Sequence, residues 1–197
     1  ILVGNPKDIK NFVKDKAVGI EAFNTAMNQN YEGFTDPANK LIVLLNGTGE
    51  TLAHELTHAS TYQKMDNFFR DPNSVTKEEA EAIQRTEALA NQFLSFDART
   101  VDHLPGLQAT ITKVQNVVST EMIRGNKAAA LNEFMAWTLS NRELADQAKK
   151  TKATKLGQLI KDAWEAIKAI FGSKYLPRVS DDVYSNLRFN SAVLSAN

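Results

Sequence analysis

"TLAHELTHAS" (residues 51–60) holds two of the chain's three histidines, four positions apart, with a glutamate directly after the first. Residues four apart on an α-helix lie on one face, a turn above the other. His54 and His58 can therefore both aim an imidazole nitrogen at one ion about 2 Å away. Glu55 is rotated about 100° from His54. That is too far round for an easy third ligand, but within reach of a water on the ion. His-Glu-x-x-His on a helix is a zinc-hydrolase pattern with the glutamate as base. Zinc lowers the pKa of its bound water to about 7 and polarises the carbonyl under attack, while the glutamate takes the proton. The plain alternative is a helix surface with exposed histidines and a solvated glutamate. The setting weighs against it. The motif lies in a predicted helix directly after a strand and a glycine turn, and Thr57 and Ala59 are too small to crowd the face. One Zn2+ per chain is the expected cofactor, with His54 and His58 as ligands and Glu55 as the catalytic residue.

A catalytic zinc takes three protein ligands and keeps one position open. His103, the remaining histidine, sits in the turn "VDHLPG" and reads as a surface residue. Acidic candidates are Glu87, Glu121, Glu133 and Glu143. Glu87 falls among Ala80, Ile83, Ala90 and Leu94, and a carboxylate on a buried stripe needs a partner. It is a rival third ligand, or a partner for a ligating histidine. Glu133, in "NEFMAWTLSN", reads from periodicity equally well as a boundary glutamate on an amphipathic helix.

Outward from the motif, "LIVLL" (41–45) is a short run bounded by turn formers and reads as a strand, ended by "NGTG" at 46–49. "ILVG" at the start is a possible short strand, and 6–17 a helix with Pro6 in its first turn. After Thr48 the pattern is helical almost to residue 172. The motif helix spans 50–67 and is broken by Asp71-Pro72. Thr76 and Glu79 form a capping box for a helix over 76–97. Further helices are predicted over 105–122, 126–140, 142–150 and 156–171. The last carries Leu159, Ile160, Ala163, Trp164, Ile167, Ile170 and Phe171 on one face, and Gly172 stops it. The expected fold class is α+β: one domain over 1–172, with a small N-terminal sheet in about 1–48 and a helical bulk in 50–172. Residues 173–197 form a tail without assigned structure.

At 197 residues the chain is long enough for a substantial core. Its apolar content of 43% and charged content of 23% suit a globular protein. Lys+Arg and Asp+Glu are balanced at 23 each, so no global field draws it to nucleic acid or an anionic membrane, and neither is an expected partner. Lys149, Lys150, Lys152 and Lys155 read as a solvated helix end or loop. There is no cysteine, which excludes disulfides and thiolate metal sites and is compatible with a reducing compartment. The longest apolar run is far too short to span a bilayer, and no signal peptide is visible. The chain opens on Ile1 and both ends read as mid-sequence, so it is expected to be part of a larger polypeptide.

"HELTHA" (54–59), followed some seventy-five residues later by "NEFMAWTLSNREL" (132–144), resembles the zincin-like metallopeptidase domains of very large bacteriophage proteins, such as polyvalent and virion proteins. "GFTDPANKLIVL" (33–44) looks like their hairpin and edge strand, and "LIKDAWEAIKAIFG" (159–172) like their closing segment. The likeness covers roughly residues 31–172. At two positions the chain departs from the pattern: Trp137 stands where a second acidic residue is usual, and Asn141-Arg142 replaces Asn-Pro. The resemblance implies a gluzincin-type site, with zinc on His54, His58 and Glu133, and it raises Glu133 above Glu87. It also implies that Leu41, Ile42, Val43 and Leu44 form the edge strand on which an extended substrate docks.

The expected function is therefore zinc-dependent hydrolysis of peptide bonds in a peptide or protein substrate, in the phage virion or the host cytoplasm. The oxyanion donor stays open among Tyr62, Tyr175, Tyr184 and His103. One alternative is a zincin-shaped structural or assembly module of a large phage virion protein, with little or no turnover. Another is a zinc hydrolase acting on a non-peptide amide.

Overall fold

The computed structural model describes residues 2–4, 6–16, 20–28, 31–36, 41–45, 48–149 and 155–171. The proposed tail 173–197, with Tyr175 and Tyr184, lies outside them. The described part opens with β1 (Leu2–Gly4), α1 (Pro6–Lys16), α2 (Ile20–Asn28), β2 (Gly33–Asp36) and β3 (Leu41–Leu45). Six helices follow: α3 (Gly49–Arg70), α4 (Lys77–Leu94), α5 (Pro105–Ile123), α6 (Lys127–Ser140), α7 (Arg142–Lys149) and α8 (Lys155–Phe171). This is an α+β chain, a small sheet and then a helical bulk. Among the described residues no helix is long and apolar enough to cross a membrane.

Local chemistry sets the ends of α3 and the start of α4. Thr48 caps α3 through its hydroxyl, which accepts from Thr51 N, while the Thr51 hydroxyl accepts from Thr48 N. Asp71 takes an extended backbone and ends the helix before Pro72. The expected capping box of α4 is present: Thr76 Oγ1 accepts from Glu79 N at 3.2 Å, and Glu79 Oε2 from Thr76 N at 2.9 Å. Gly125 turns the chain from α5 to α6 with φ of 77°, a conformation that favours glycine. Helix α2 had no element assigned to it in sequence. Its nine residues give periodicity little to work with, although Phe23 and Ala26 are buried one turn apart.

The sheet order is β1-β3-β2. Strand β3 runs parallel to β1, with Leu2 opposite Val43, and antiparallel to β2, with Gly33 opposite Leu44 and Asp36 opposite Leu41. This corrects the assignment of Leu41, Ile42, Val43 and Leu44 as a substrate-binding edge. Among the described residues β1 covers β3 at Val43 to Leu45 and β2 covers it at Leu41 to Leu44, and Ile42 to Leu45 are buried, so β3 is the central strand of the sheet and not its edge. The strand that makes the larger contact with α3 is β2, the other half of the expected hairpin.

Apolar burial forms two clusters. A small one gathers Ile9, Val13, Phe23, Ala26, Phe34, Val43 and Leu45 around the sheet. A large one unites the helices, with Met65, Ile83, Phe93, Ile111, Leu131, Phe134, Ile160 and Ile167 among its most buried members. Helix α3 touches the sheet at its start and the helical core along its later turns, so its first half lies where the two parts meet.

Candidate metal centre

His54 and His58 stand one turn apart on α3, as the spacing requires, and Glu133 reaches them from α6. The Nε2 atoms of the two histidines are 2.9 Å apart. Glu133 Oε2 is 3.7 Å from His54 Nε2, and Oε1 is 3.5 Å from His58 Nε2. Taking one donor atom from each residue, all three lie within 4.8 Å of one another. An ion held about 2 Å from tetrahedrally disposed nitrogen and oxygen donors needs those donors roughly 3 to 3.5 Å apart. The observed spacings surround that value, so the group fits a small divalent cation. Two imidazoles and one carboxylate also suit zinc better than calcium or magnesium, which prefer all-oxygen sites.

Electrostatics at His54 agree with a ligating role, while burial of Glu133 works against its ionised form. Burial pushes His54 well below the ordinary histidine value, helped by the neighbouring charges of His58 and Lys113. A neutral imidazole is the form that binds a metal. Burial likewise raises the Glu133 carboxyl, against the opposing effects of His58, a hydrogen bond from Trp137, and Lys113.

A buried polar chain fixes His58. The Thr61 hydroxyl donates to Thr57 O at 2.6 Å, so its lone pairs face Asn132, whose Nδ2 donates to it at 2.6 Å. That leaves Asn132 Oδ1 facing His58 Nδ1 as an acceptor. An acceptor there holds the proton on Nδ1 and turns the Nε2 lone pair toward Glu133 and His54. Asn132 is 2% exposed and Thr61 is fully buried, so the direction of each bond follows from the network alone. Trp137, one turn after Glu133, braces the other side. It donates to the Glu133 carboxylate, and its ring meets His54 edge-on at 5.1 Å between centroids.

Glu55 lies next to this group and faces the same cleft. It is 7% exposed. The Thr35 hydroxyl, from β2, lies 2.8 Å from Glu55 Oε2 and 2.9 Å from Glu55 O. Burial raises the Glu55 carboxyl above the ordinary value, countered by His58 and Thr35. The cleft holds about 740 Å³ and runs between β2 with the start of α3 on one wall and α5 with α6 on the other.

The remaining candidates stand elsewhere. Glu87 pairs with Lys127 at 2.8 Å, Glu121 with Arg124 at 2.6 Å, and Glu143 accepts from Thr110 at 2.7 Å. None joins the histidines, so the rival role for Glu87 as third ligand is not supported by the geometry. His103 is exposed beside Asp102 at 3.9 Å. Tyr62 does line the cleft. Asn132, Trp137, Thr35 and Lys113 went unassigned in sequence. Two signals were available: Asn132 is a polar residue on a helix of apolar neighbours, and Trp137 is four positions from Glu133, hence on its face.

No family model matches the chain, and no solved structure does. It is similar to the virion DNA-directed RNA polymerase of Enterobacteria phage N4, 36% identical over 202 aligned residues that span 98% of this chain. The chain corresponds to 6% of that protein's length.

Proposed function

We propose that this chain is a zinc-dependent metallopeptidase module of the zincin-like, gluzincin type. The observation that carries the reading is the convergence of His54, His58 and Glu133 on one point of a cleft that Glu55 also faces. When bound, zinc supplies Lewis-acid activation of water and of the scissile carbonyl. The protein's own groups do the rest. Asn132 and Trp137 hold His58 and Glu133 in ligating orientation. Thr35 occupies Glu55 Oε2, which leaves Oε1 as the atom to take the proton of the attacking water and pass it to the departing amine. The outer edge of β2 replaces 41–45 as the strand on which an extended substrate adds its backbone hydrogen bonds.

The similarity to a phage polymerase supports a second, compatible reading, a module carried within a large virion protein. A module kept only for assembly has no need of a buried carboxylate beside the histidines, whose desolvation costs stability. Glu55 therefore favours chemistry. Since the aligned part is 6% of the relative, the RNA polymerase activity in its name is not carried over to this chain.

The test is metal content by plasma mass spectrometry on wild type, His54→Ala and Glu133→Ala, followed by a quenched-fluorescence peptide assay on zinc-loaded wild type and Glu55→Gln. About one zinc per chain, lost in the first two variants, with turnover abolished in Glu55→Gln, is expected. Absence of zinc from the supplied wild type, or undiminished turnover in Glu55→Gln, would overturn it.

A further inference from the structure

The cleft walls carry an uneven distribution of charge. On one side stand Glu32 and Glu50, near the N-terminus of α3. Glu32 accepts from the Thr51 hydroxyl at 2.7 Å, and burial raises the Glu50 carboxyl, with the Arg142 charge opposing. Across the cleft, on α5, is Lys113, the single lysine or arginine among the described residues that line it. Its ammonium lies over the face of Trp137, 4.4 Å from the ring centroid. Trp137 is itself held by Glu133 and His54, so the lysine head rests on a fixed aromatic plate at the cleft wall.

We propose that Lys113 is a specificity-determining residue of this cleft and pairs with a carboxylate of the bound substrate. The inference rests on the peptidase reading and adds the substrate's chemical class. Three features carry it. First, a side chain leaving an extended peptide on β2 points across the cleft at alternate residues, and the cation it can meet there is Lys113. Second, no carboxylate is within ion-pair distance of Lys113 among the described residues, and the charge of Glu133, on which it acts, would be taken up by a divalent ion held on His54, His58 and Glu133. Third, Glu32 and Glu50 repel a carboxylate from the opposite wall and so fix the polarity of binding. The carboxylate belongs to an aspartate or glutamate side chain or to the peptide's C-terminus; Lys113 recognises both by the same charge-assisted hydrogen bond.

The experiment separates this proposal from the one beneath it. Fluorescein-labelled hexapeptides on an alanine and phenylalanine background, with one Glu or Gln moved through each position and the C-terminus free or amidated, are titrated by anisotropy. The protein is the zinc-loaded Glu55→Gln chain, with Lys113 intact or replaced by Met or Glu. Both replacements are on an exposed position and leave the core untouched. The expected result is roughly tenfold tighter binding of a carboxylate peptide over its amide counterpart at one position, as for a hydrogen bond to a charged group. Lys113→Met should remove the preference and Lys113→Glu reverse it. Preference for Glu in an amidated peptide assigns the side-chain source, and preference for the free acid the terminal source. A Glu-to-Gln ratio near one with Lys113 intact, or a ratio unchanged in Lys113→Met, overturns the proposal. Wild-type turnover is scored separately. If these peptides bind with the expected preference yet are never cleaved, the peptidase reading fails and the role of Lys113 stands.

Discussion

Replacing Asn132 tests the geometry of the candidate metal centre without touching a candidate ligand. Asn132→Leu keeps the volume close to native but deletes two hydrogen bonds, the one donated to Thr61 and the one accepted from His58 Nδ1. Thr61 still donates to Thr57 O, so its loss is partial. His58 Nδ1 loses its acceptor outright, but its side chain is 15% exposed and water recovers part of the loss. An orphaned buried polar group costs about 1 to 3 kcal/mol, which puts this pair at about 2 kcal/mol. In a chain of this size that lowers Tm by roughly 4 to 8 °C. The larger effect is on the metal. Once Nδ1 is free, the imidazole rotates and exchanges tautomers, and groups of this kind are worth about 10- to 100-fold in metal affinity.

The control is Asn132→Asp. Its carboxylate still accepts from His58 Nδ1, and the Thr61 hydroxyl can turn toward it, so zinc affinity should stay within about threefold of wild type. Competition titration against a zinc-sensitive chelator dye gives the affinities, and thermal melts of the metal-free chains give the stability. Wild-type zinc affinity in a folded Asn132→Leu chain would refute the reasoning, leaving Asn132 as packing alone. Equal loss in both variants would show that an acceptor on Nδ1 is not what matters.

Three further outcomes follow from the same structure. Glu133→Ala should lower zinc affinity by at least about 100-fold, whereas Glu87→Ala, which loses an ion pair with Lys127, should leave it unchanged in the same titration; the opposite result would move the third ligand to α4. Gly33→Ala should cost about 1 to 3 kcal/mol, seen as a lower Tm. A Cβ there would lie 2.8 Å from Val43 O and 3.0 Å from Thr51 Cγ2, with backbone on the nearer side that cannot step away; an unchanged melt would mean β2 is free to shift. Glu79→Gln keeps a capping side chain but loses the pair with Lys64, which bonds Glu79 at 2.7 Å and Ile170 O at 2.9 Å. The Lys64 hydrogen bond, foremost, holds the Glu79 carboxyl below 4.5. A lowered folded pKa gives stability above the unfolded value, lost as pH falls through the folded one. The difference from Glu79→Gln, about 1 kcal/mol for a half-buried pair that solvent still reaches, should be constant near neutrality and close below pH 4.5. A gap that persists at pH 3 would contradict it.

What the sequence made legible was local. The His54–Glu55–His58 helix, the Thr76–Glu79 capping box, the strand at 41–45 and the stripe of α8 each depend on residues within a turn or two of one another. The errors concern partners far along the chain. A strand's place in its sheet depends on what pairs with both its sides, and nothing within "LIVLL" reports that Leu2–Gly4 will close its second edge. Glu87 and Glu133 looked alike as carboxylates on mostly apolar helices. The contact that separates them, α3 against α6, joins segments more than seventy residues apart. Glu87 instead found its partner in Lys127, forty positions away.

Helix α6 shows why periodicity left Glu133 open between a site residue and the edge of an amphipathic face. Apart from the exposed Lys127 at its start, only three of its positions are not buried: Ala129, Glu133 and Trp137. These are spaced by four, so they form a single stripe, and all three line the cleft. The helix is enclosed on its remaining sides by α3, α5 and α8. Its one open stripe is a wall of the cleft, not an outer surface facing bulk water. A polar residue on a solvated face costs little and says little. On a stripe turned into a cleft it loses much of its water, and it is retained when something else satisfies it. For Glu133 the available groups are Trp137 and the two imidazoles of α3, whose own cleft-facing positions, Glu50, Thr51, His54, Glu55, His58 and Tyr62, recur at helical spacing. The site is therefore built where the open stripe of the largely buried α6 meets the cleft-facing stripe of α3. The residues that fill them are the ones a hydrophobic pattern would dismiss as boundary positions.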